Sequence, residues 1–590
     1  MSANPAAPAT LFVDCDAKGD VLALEQGVSF WGGVDPDTVT IIDAHHPNCG
    51  AALAGKIVLM PTSRGSCSGS GVMLQLARNG QAPAALVFRD EEDILTLGAM
   101  IAQRLFDRPV AVLRLAAHFY EALSQAQTAQ LCDGVLTFDG HQPIAARQPS
   151  ASELTLSDAD KDMLAGQGAG GAGQAQKIAM EVLCLMAAAQ GATSLTDVSR
   201  GHIDGCILAH DANLDFAETM HEMGAKTIIP TTINAISVDR ENWQLHDMPN
   251  DFGQKASRLA DAYVNMGARP TFTCAPYLLD DVPEQGEAIG WSESNAVVFA
   301  NSVLGARTQK HPDYLDLFIA MTGRAPNTGV YLAENRIPDC EIHVDLLPQM
   351  DDAFWPMLGW LAGSKSPGGI PVLTGLENTA PTRDDLKAMC AAFGTTSAAP
   401  ILHVSGHTPE GQLRPRAAAP RFTITHKDLV DVWQLFNSAE TDVDLVAIGS
   451  PHASLSECRT FAQALAGRTV GAQTHTQAII TVGRSVLAAA EQEGLVKALK
   501  DAGVQIIPDL CWCSITEPVF PPAASVLMTN SGKYAHYAKG LTGRQVRFGS
   551  LQDCANVAVT GRANEALPAW LSPLSSTALP PDTPIHSEVR

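Results

Sequence analysis

Apolar residues in this chain fall into short unbroken runs separated by longer stretches in which they recur every three or four positions. The runs KIVLM (56–60) and AALVF (84–88) read as buried strands, and SGVMLQLARNG between them reads as a short helix closed by Gly80. Residues 1–146 therefore read as one small α/β domain. The segment 147–160, RQPSASELTLSDAD, is polar and Ser-rich with Pro149, the composition of a linker. Beyond residue 175 helical stretches alternate with short apolar runs, each ending in a polar loop. KTIIP runs into TTIN, RPTFT into CAPY, PILHV into SGHTPE, DLVAIG into SPH, and VQIIP into DLCWC. Strands alternating with helices predict βαβ units and parallel sheets, hence a large α/β domain over 161–575 and a tail over 576–590. Ligands of such sheets gather outside the carboxyl ends of strands. That places Asn234, Cys274, His407, Ser450, His452, Cys511 and Cys513 as candidates to line one cleft.

Composition narrows the class. At 590 residues the chain exceeds what one core can organise, so about two to four domains are expected. No uninterrupted apolar run is long enough to span a bilayer, and the opening MSANPAAPATLFVD has neither a basic nor a sustained apolar region. A cytoplasmic enzyme without a signal peptide is the expectation. The net charge of −24 argues against a nucleic-acid partner, which demands clustered Lys and Arg, but leaves room for a locally cationic pocket. The 13 cysteines have no regular spacing, so they do not form a disulfide framework; most pack in cores and a few are free to act as ligands.

Several constellations carry chemistry. In PTSRGSCSGSG (61–71) a strand enters a Gly/Ser loop and then a helix, whose first N–H groups favour an anion. Ser66 and Arg64 lie there; the same residues also suit a cap and turn. The glycines of MLAGQGAGGAGQAQ lack the Gly-Lys-Ser/Thr ending of a phosphate loop and read as a flexible start to a helix. Cys274 and Cys511 are far apart in sequence, unlike the close pairs of structural zinc sites; thiolates gathered from separate loops suit an iron–sulfur cluster, and two core cysteines remain the plain alternative. GHIDGCILAH adds His202, Asp204, Cys206 and His210, and SESNAVVFANSVLGART adds Glu293, Asn295, Asn301 and Arg307 as helix caps or as contacts for an acidic substrate. In PDLCWCSITEP, Cys511 and Cys513 lack the CxxC spacing of a redox pair.

The motifs SFWGGVD, RGSCSGSG and APAALVFRDEEDILTLGAMIA resemble the small swivelling domain of the aconitase X family. PTTIN, GARPTFTCAPYLL, WSESNAVVFANSVLGART, SPHASL and TNSGKYAHYAKGLTG resemble its large domain, in order along nearly the whole chain. The fusion of both domains resembles the single-chain bacterial branch, which dehydrates cis-3-hydroxy-L-proline; the archaeal branch divides them into two subunits and dehydrates mevalonate 5-phosphate. The resemblance implies an aconitase-like fold and a hydro-lyase acting on a hydroxylated imino acid, as a monomer or small homo-oligomer with no nucleic-acid or membrane partner. It implies Ser66 as proton acceptor and Cys274 and Cys511 as cluster ligands. The third archaeal ligand falls in a GCPH-like motif that here reads GSPH, with Ser450. A 2Fe-2S cluster with a substitute ligand is therefore expected, Cys206 being the first choice and Cys513 and Cys67 its rivals. Arg64, Gly205, Asn234, Ser531 and Lys533 are the expected substrate contacts. A mevalonate 5-phosphate or other hydroxy acid dehydratase is the second enzyme reading; a zinc hydrolase and an iron-responsive binding protein are the competing classes.

Overall fold

The computed structural model describes residues 7–43, 46–64, 66–168, 173–472 and 474–572. Parallel strands Ala17–Ala23, Ile57–Met60, Ala85–Phe88 and Ala111–Leu115 form the centre of an eight-stranded sheet. Ala9–Val13 closes one edge antiparallel, and Thr128–Cys132, Val135–Phe138 and Ile144–Ala145 form an antiparallel meander on the other. Successive strand residues point to opposite faces, and in Ile57–Met60, Ala85–Phe88 and Ala111–Leu115 both faces are dry. Ile57 and Leu59 join one apolar cluster with Val87 and Leu113, while Val58 and Met60 join another with Leu86 and Phe88. Burial on both sides is why these strands read as unbroken apolar runs.

Helices Gly69–Arg78 and Ile94–Phe106 cover one face. They cross so closely at Gly98 that a Cβ there would lie 2.5 Å from the Ser70 carbonyl oxygen. The same apolar cluster runs on into helices Gly173–Ala189, Asp211–Glu222 and Leu315–Thr322, so this layer shares a core with the first part of the large domain. The connecting segment 147–160 is ordered: Ser150 and Ser157 cap helical turns, Leu154 is buried, and Thr155 bridges Ser194.

Three wholly parallel sheets organise the rest. Their strand orders are Thr231–Ile233, Gly201–Ile203, Gly290–Trp291; His403–Val404, Pro371–Thr374, Cys340–Val344, Arg421–Ile424; and Val504–Pro508, Gln477–Val482, Leu445–Ile448, Val526–Thr529, Gln545–Phe548. Two predicted strands are displaced. In KTIIP, Ile228 is 43% exposed, and pairing begins only after Pro230, at the β-branched Thr231–Ile233. RPTFT makes an isolated bridge at Arg269, because Phe272 takes φ +41° and Thr271 bonds the Ile233 backbone through its side chain. Part of the glycine-rich segment (169–172) and the tail 576–590 lie outside the described residues. Among the described residues no helix is long and apolar enough to cross a membrane.

Candidate active site

In a parallel sheet the crevice opens where strand order reverses, because the two loops leaving that point diverge. The three-stranded sheet reverses between Gly201–Ile203 and Gly290–Trp291, whose carboxyl ends lead into Asp204-Gly205-Cys206 and Ser292-Glu293. The five-stranded sheet reverses between Leu445–Ile448 and Val526–Thr529, which lead into Ser450-Pro451-His452 and Ser531-Gly532-Lys533. Side chains join the two crevices. Lys533 Nζ donates to Glu293 Oε1 at 2.7 Å across them, and within the second Ser531 Oγ donates to the Ser450 carbonyl. The small domain reaches the same place from Ile57–Met60: Cys67 Sγ lies 3.7 Å from the Ser292 carbonyl and 3.5 Å from Asp204 Oδ2.

A cluster of thiols forms one wall. Cys274 Sγ and Cys511 Sγ are 3.4 Å apart and fully buried with Ala235, and Cys513 packs against them. Their backbone is pinned. The His452 N–H donates to Cys274 Sγ at 3.2 Å, while Asn295 Nδ2 donates to the Cys274 carbonyl at 2.9 Å. Ser514 Oγ accepts from Cys511 N–H, and Trp512 Nε1–H donates to the Ile448 carbonyl. Just upstream, Asp509 (φ +70°) is clamped by the Arg484 guanidinium. Hydrogen bonds from the Cys274 and Cys513 thiols hold Cys511 well below the ordinary thiol range, so a thiolate is favoured there even against burial. Burial works against the Lys533 ammonium, but Glu293 and the thiols override it and keep it charged.

Cys206 approaches the same segment through its backbone. Its Sγ lies 3.4 Å from the carbonyls of both Asn234 and Ala235, on backbone whose Ala235 side chain faces Cys274 and Cys511. A thiol enclosed by carbonyl oxygens is a donor in a turn, and the residue beside Cys511 is instead Cys513.

The second wall carries Ser66, half-buried just before helix Gly69–Arg78, with its Oγ accepting from Ser68 N–H at 3.3 Å. Arg64 is turned outward and pairs with Asp43 at 2.8 Å. Asn234 Nδ2 bonds Asp204, and Gly205 accepts from Tyr263 Oη at 3.1 Å while lying against Asp313. Burial and the neighbouring Asp313 push the Asp204 carboxyl well up; burial pushes Asp313 to about 6. Lys310, lowered to about 8 by burial, donates to the Ser397 carbonyl.

Of the remaining sequence candidates, Glu293 and Asn295 are in the site. Asn301 and Arg307 bond backbone carbonyls at Pro400 and Tyr331, and His407 bonds the Leu376 carbonyl within the four-stranded lobe. His202 is buried against Thr232, and His210 lines a cleft with Trp31 and Asp313. Asp313 and Lys310 escaped the sequence reading; HPDYLDLF shows Asp313 only as a polar residue before an apolar helix.

Aconitase X domain models match this chain consecutively: the swivel domain over 7–137, the first domain over 153–334, the second over 338–434 and the third over 443–560. A cis-3-hydroxy-L-proline dehydratase of Pseudomonas aeruginosa is 47% identical over 96% of this chain and 98% of its own. Another from Hypocrea jecorina is 42% identical over 95% and 97%. The phosphomevalonate dehydratase large subunit of Thermococcus kodakarensis is 32% identical over 65% of this chain and 96% of its own. The crystal structure of Thermococcus kodakaraensis aconitase X in its holo-form superposes with a TM-score of 0.62 at 30% identity, covering 69% of this chain and 100% of that one. By the four domain models and by these near-full-length relatives, the chain belongs to the aconitase X family and is a hydro-lyase.

Proposed function

We propose that this enzyme eliminates water from cis-3-hydroxy-L-proline to give a pyrroline-2-carboxylate in the cytoplasm. The observation that carries the reading is likeness along the whole chain, swivel domain included, to two single-chain dehydratases of that substrate. The phosphomevalonate large subunits correspond to about two thirds of this chain.

The buried thiols Cys274 and Cys511, with Cys513 beside them, suit an iron–sulfur cluster: soft donors, one favoured as thiolate, facing a polar cleft. Three protein thiols with no cysteine at Ser450 favour the 2Fe-2S form, Cys513 taking the place the sequence reading gave to Cys206. Bound there, the cluster supplies Lewis acidity toward the leaving hydroxyl or the substrate carboxylate.

The chain's own groups do the remainder. Ser66 takes the Cα proton; Ser68 N–H, at the start of helix Gly69–Arg78, stabilises the negative charge that Ser66 Oγ needs to act as a base. Lys533, kept cationic and aligned by Glu293, binds the substrate carboxylate, with Ser531 and Asn234 as polar neighbours. The C3 hydroxyl leaves as the C3–O bond breaks and, with the proton Ser66 has taken from Cα, makes up the one water released; the enamine product tautomerises to the imine. Closing the small domain over the cleft excludes solvent while charge develops. Incubating anaerobically purified enzyme separately with cis-3-hydroxy-L-proline and with mevalonate 5-phosphate tests the reading by mass spectrometry. Loss of one water from the first and none from the second is expected; the opposite pattern overturns it.

A further inference from the structure

Beside Cys67 the cleft holds two acidic side chains that the dehydration mechanism leaves unused. Cys67 Sγ and one oxygen each of Asp204 and Asp313 lie within 4.8 Å of one another. Asp313 is 3% exposed, and its Oδ1 is buried without a hydrogen-bond partner. Asp204 accepts from Asn234 Nδ2 and from Cys67 Sγ and shares a hydrogen bond with Asp313, weak compensation for two desolvated carboxyls. The neighbouring cations are committed elsewhere: Lys533 to Glu293, Lys310 to the Ser397 carbonyl, Arg64 to Asp43. Among the described residues no Lys, Arg or His nitrogen makes an ion pair with Asp204 or Asp313. Asp313 also lines the cleft that Ser68, Trp31 and His210 border, next to the Ser66 loop. Two buried carboxyls with an open oxygen and no cation are a receptor for a small cationic group.

Resting on the hydroxyproline reading, we infer that Asp204 and Asp313 receive the secondary ammonium of the cyclic imino acid and so select it over hydroxy acids that lack an amine. The ammonium has two N–H bonds, one for each carboxyl group, and its charge draws out the ionised form that burial alone disfavours. Its nitrogen is bonded to the carbon that loses its proton, and Ser66 and Cys67 are consecutive. Anchoring nitrogen at the carboxyl pair beside Cys67 therefore brings the Cα–H bond to the Ser66 loop. Lys533 across the cleft is left to hold the carboxylate, so the two ends of the zwitterion meet opposite charges.

Calorimetric titration of the holoenzyme with L-proline and with tetrahydrofuran-2-carboxylate, which replaces the N–H2+ by a ring oxygen, tests this without requiring turnover. Wild type is expected to bind proline at least about tenfold more tightly, and Asp313→Asn to lose that preference through weaker proline binding alone. Iron and sulfide content and the thermal midpoint serve as folding controls, and Asp204→Asn replaces Asp313→Asn if the latter does not fold. Equal binding of the two analogues by wild type overturns the assignment, as does equal weakening of both in the variant. A stoichiometric divalent cation in wild type, lost in Asp313→Asn, overturns it too, since the pair would then be a metal site. The parent reading fails separately, by wild type leaving cis-3-hydroxy-L-proline unchanged.

Discussion

The cleft has one wall fastened by backbone around its thiols and another in which the residues after Ser66 are tied across to Asp204, Ser292 and Asp313 while Ser66 itself is held only at a helix start. Cys274 and Cys511 sit where two sheets end, with N–H groups, carbonyls and the Arg484–Asp509 clamp fixing their loops. Ser66, half-buried, is held from within its own loop by Ser68 and Gly69, and its neighbour Arg64 faces outward to Asp43. The contrast fits the roles proposed for the two walls. A cofactor pocket keeps its ligands in place by rigid outer contacts, whereas a base reaching for a carbon-bound proton is brought up by closure over the bound substrate.

That division is broken most forcefully at the thiols. Cys511→Ser is expected to abolish turnover and strip the visible absorbance with the iron and labile sulfide, whereas Cys206→Ser keeps the colour. Cys513→Ser separates the rivals; if it retains full iron while Cys206→Ser loses it, the proposed ligand set is wrong. Ser66→Ala is expected to lower kcat by about 10²–10⁴-fold with iron and sulfide intact, since only the base is gone. A variant keeping more than about a tenth of wild-type kcat removes Ser66 from that role. Between the walls, Lys533→Met leaves buried Glu293 without its cation, an expected loss of about 3–5 kcal/mol of stability. Adding Glu293→Gln recovers part of that loss, and a strictly additive double mutant in chemical denaturation would show that the pair is not coupled. The mildest change is Gly98→Ala, which forces apart the helix carrying the Ser66 loop; about 1–3 kcal/mol of destabilisation is expected by the same measurement.

Much of the fold was legible because parallel strands dry on both faces must be continuous apolar runs. KIVLM, AALVF, DLVAIG and VQIIP all became strands, and the polar residues at the ends of the large-domain runs supplied most of the cleft. KTIIP and RPTFT misled for a local reason: an apolar run shows burial or β-propensity, not which of its residues find a partner. Pro230 and the positive φ of Phe272 moved pairing away from both. The sequence puts Cys206 ahead of Cys513 as the third ligand, because nothing in it shows that the Cys206 thiol lies against the Asn234 and Ala235 carbonyls.

The sequence alone therefore determined the α/β layering, the order of the domains and the loops that line the candidate site, since hydrophobic period and strand-end loops are local properties of the chain. The tertiary structure decided which of those loops meet. The approach of Cys274 to Cys511, of Lys533 to Glu293 and of Asp204 to Asp313 spans residues distant in sequence, and it depends on where strand order reverses in two separate sheets. Registers and crossovers are set by the packing of whole layers against one another, and no short stretch of residues carries that information.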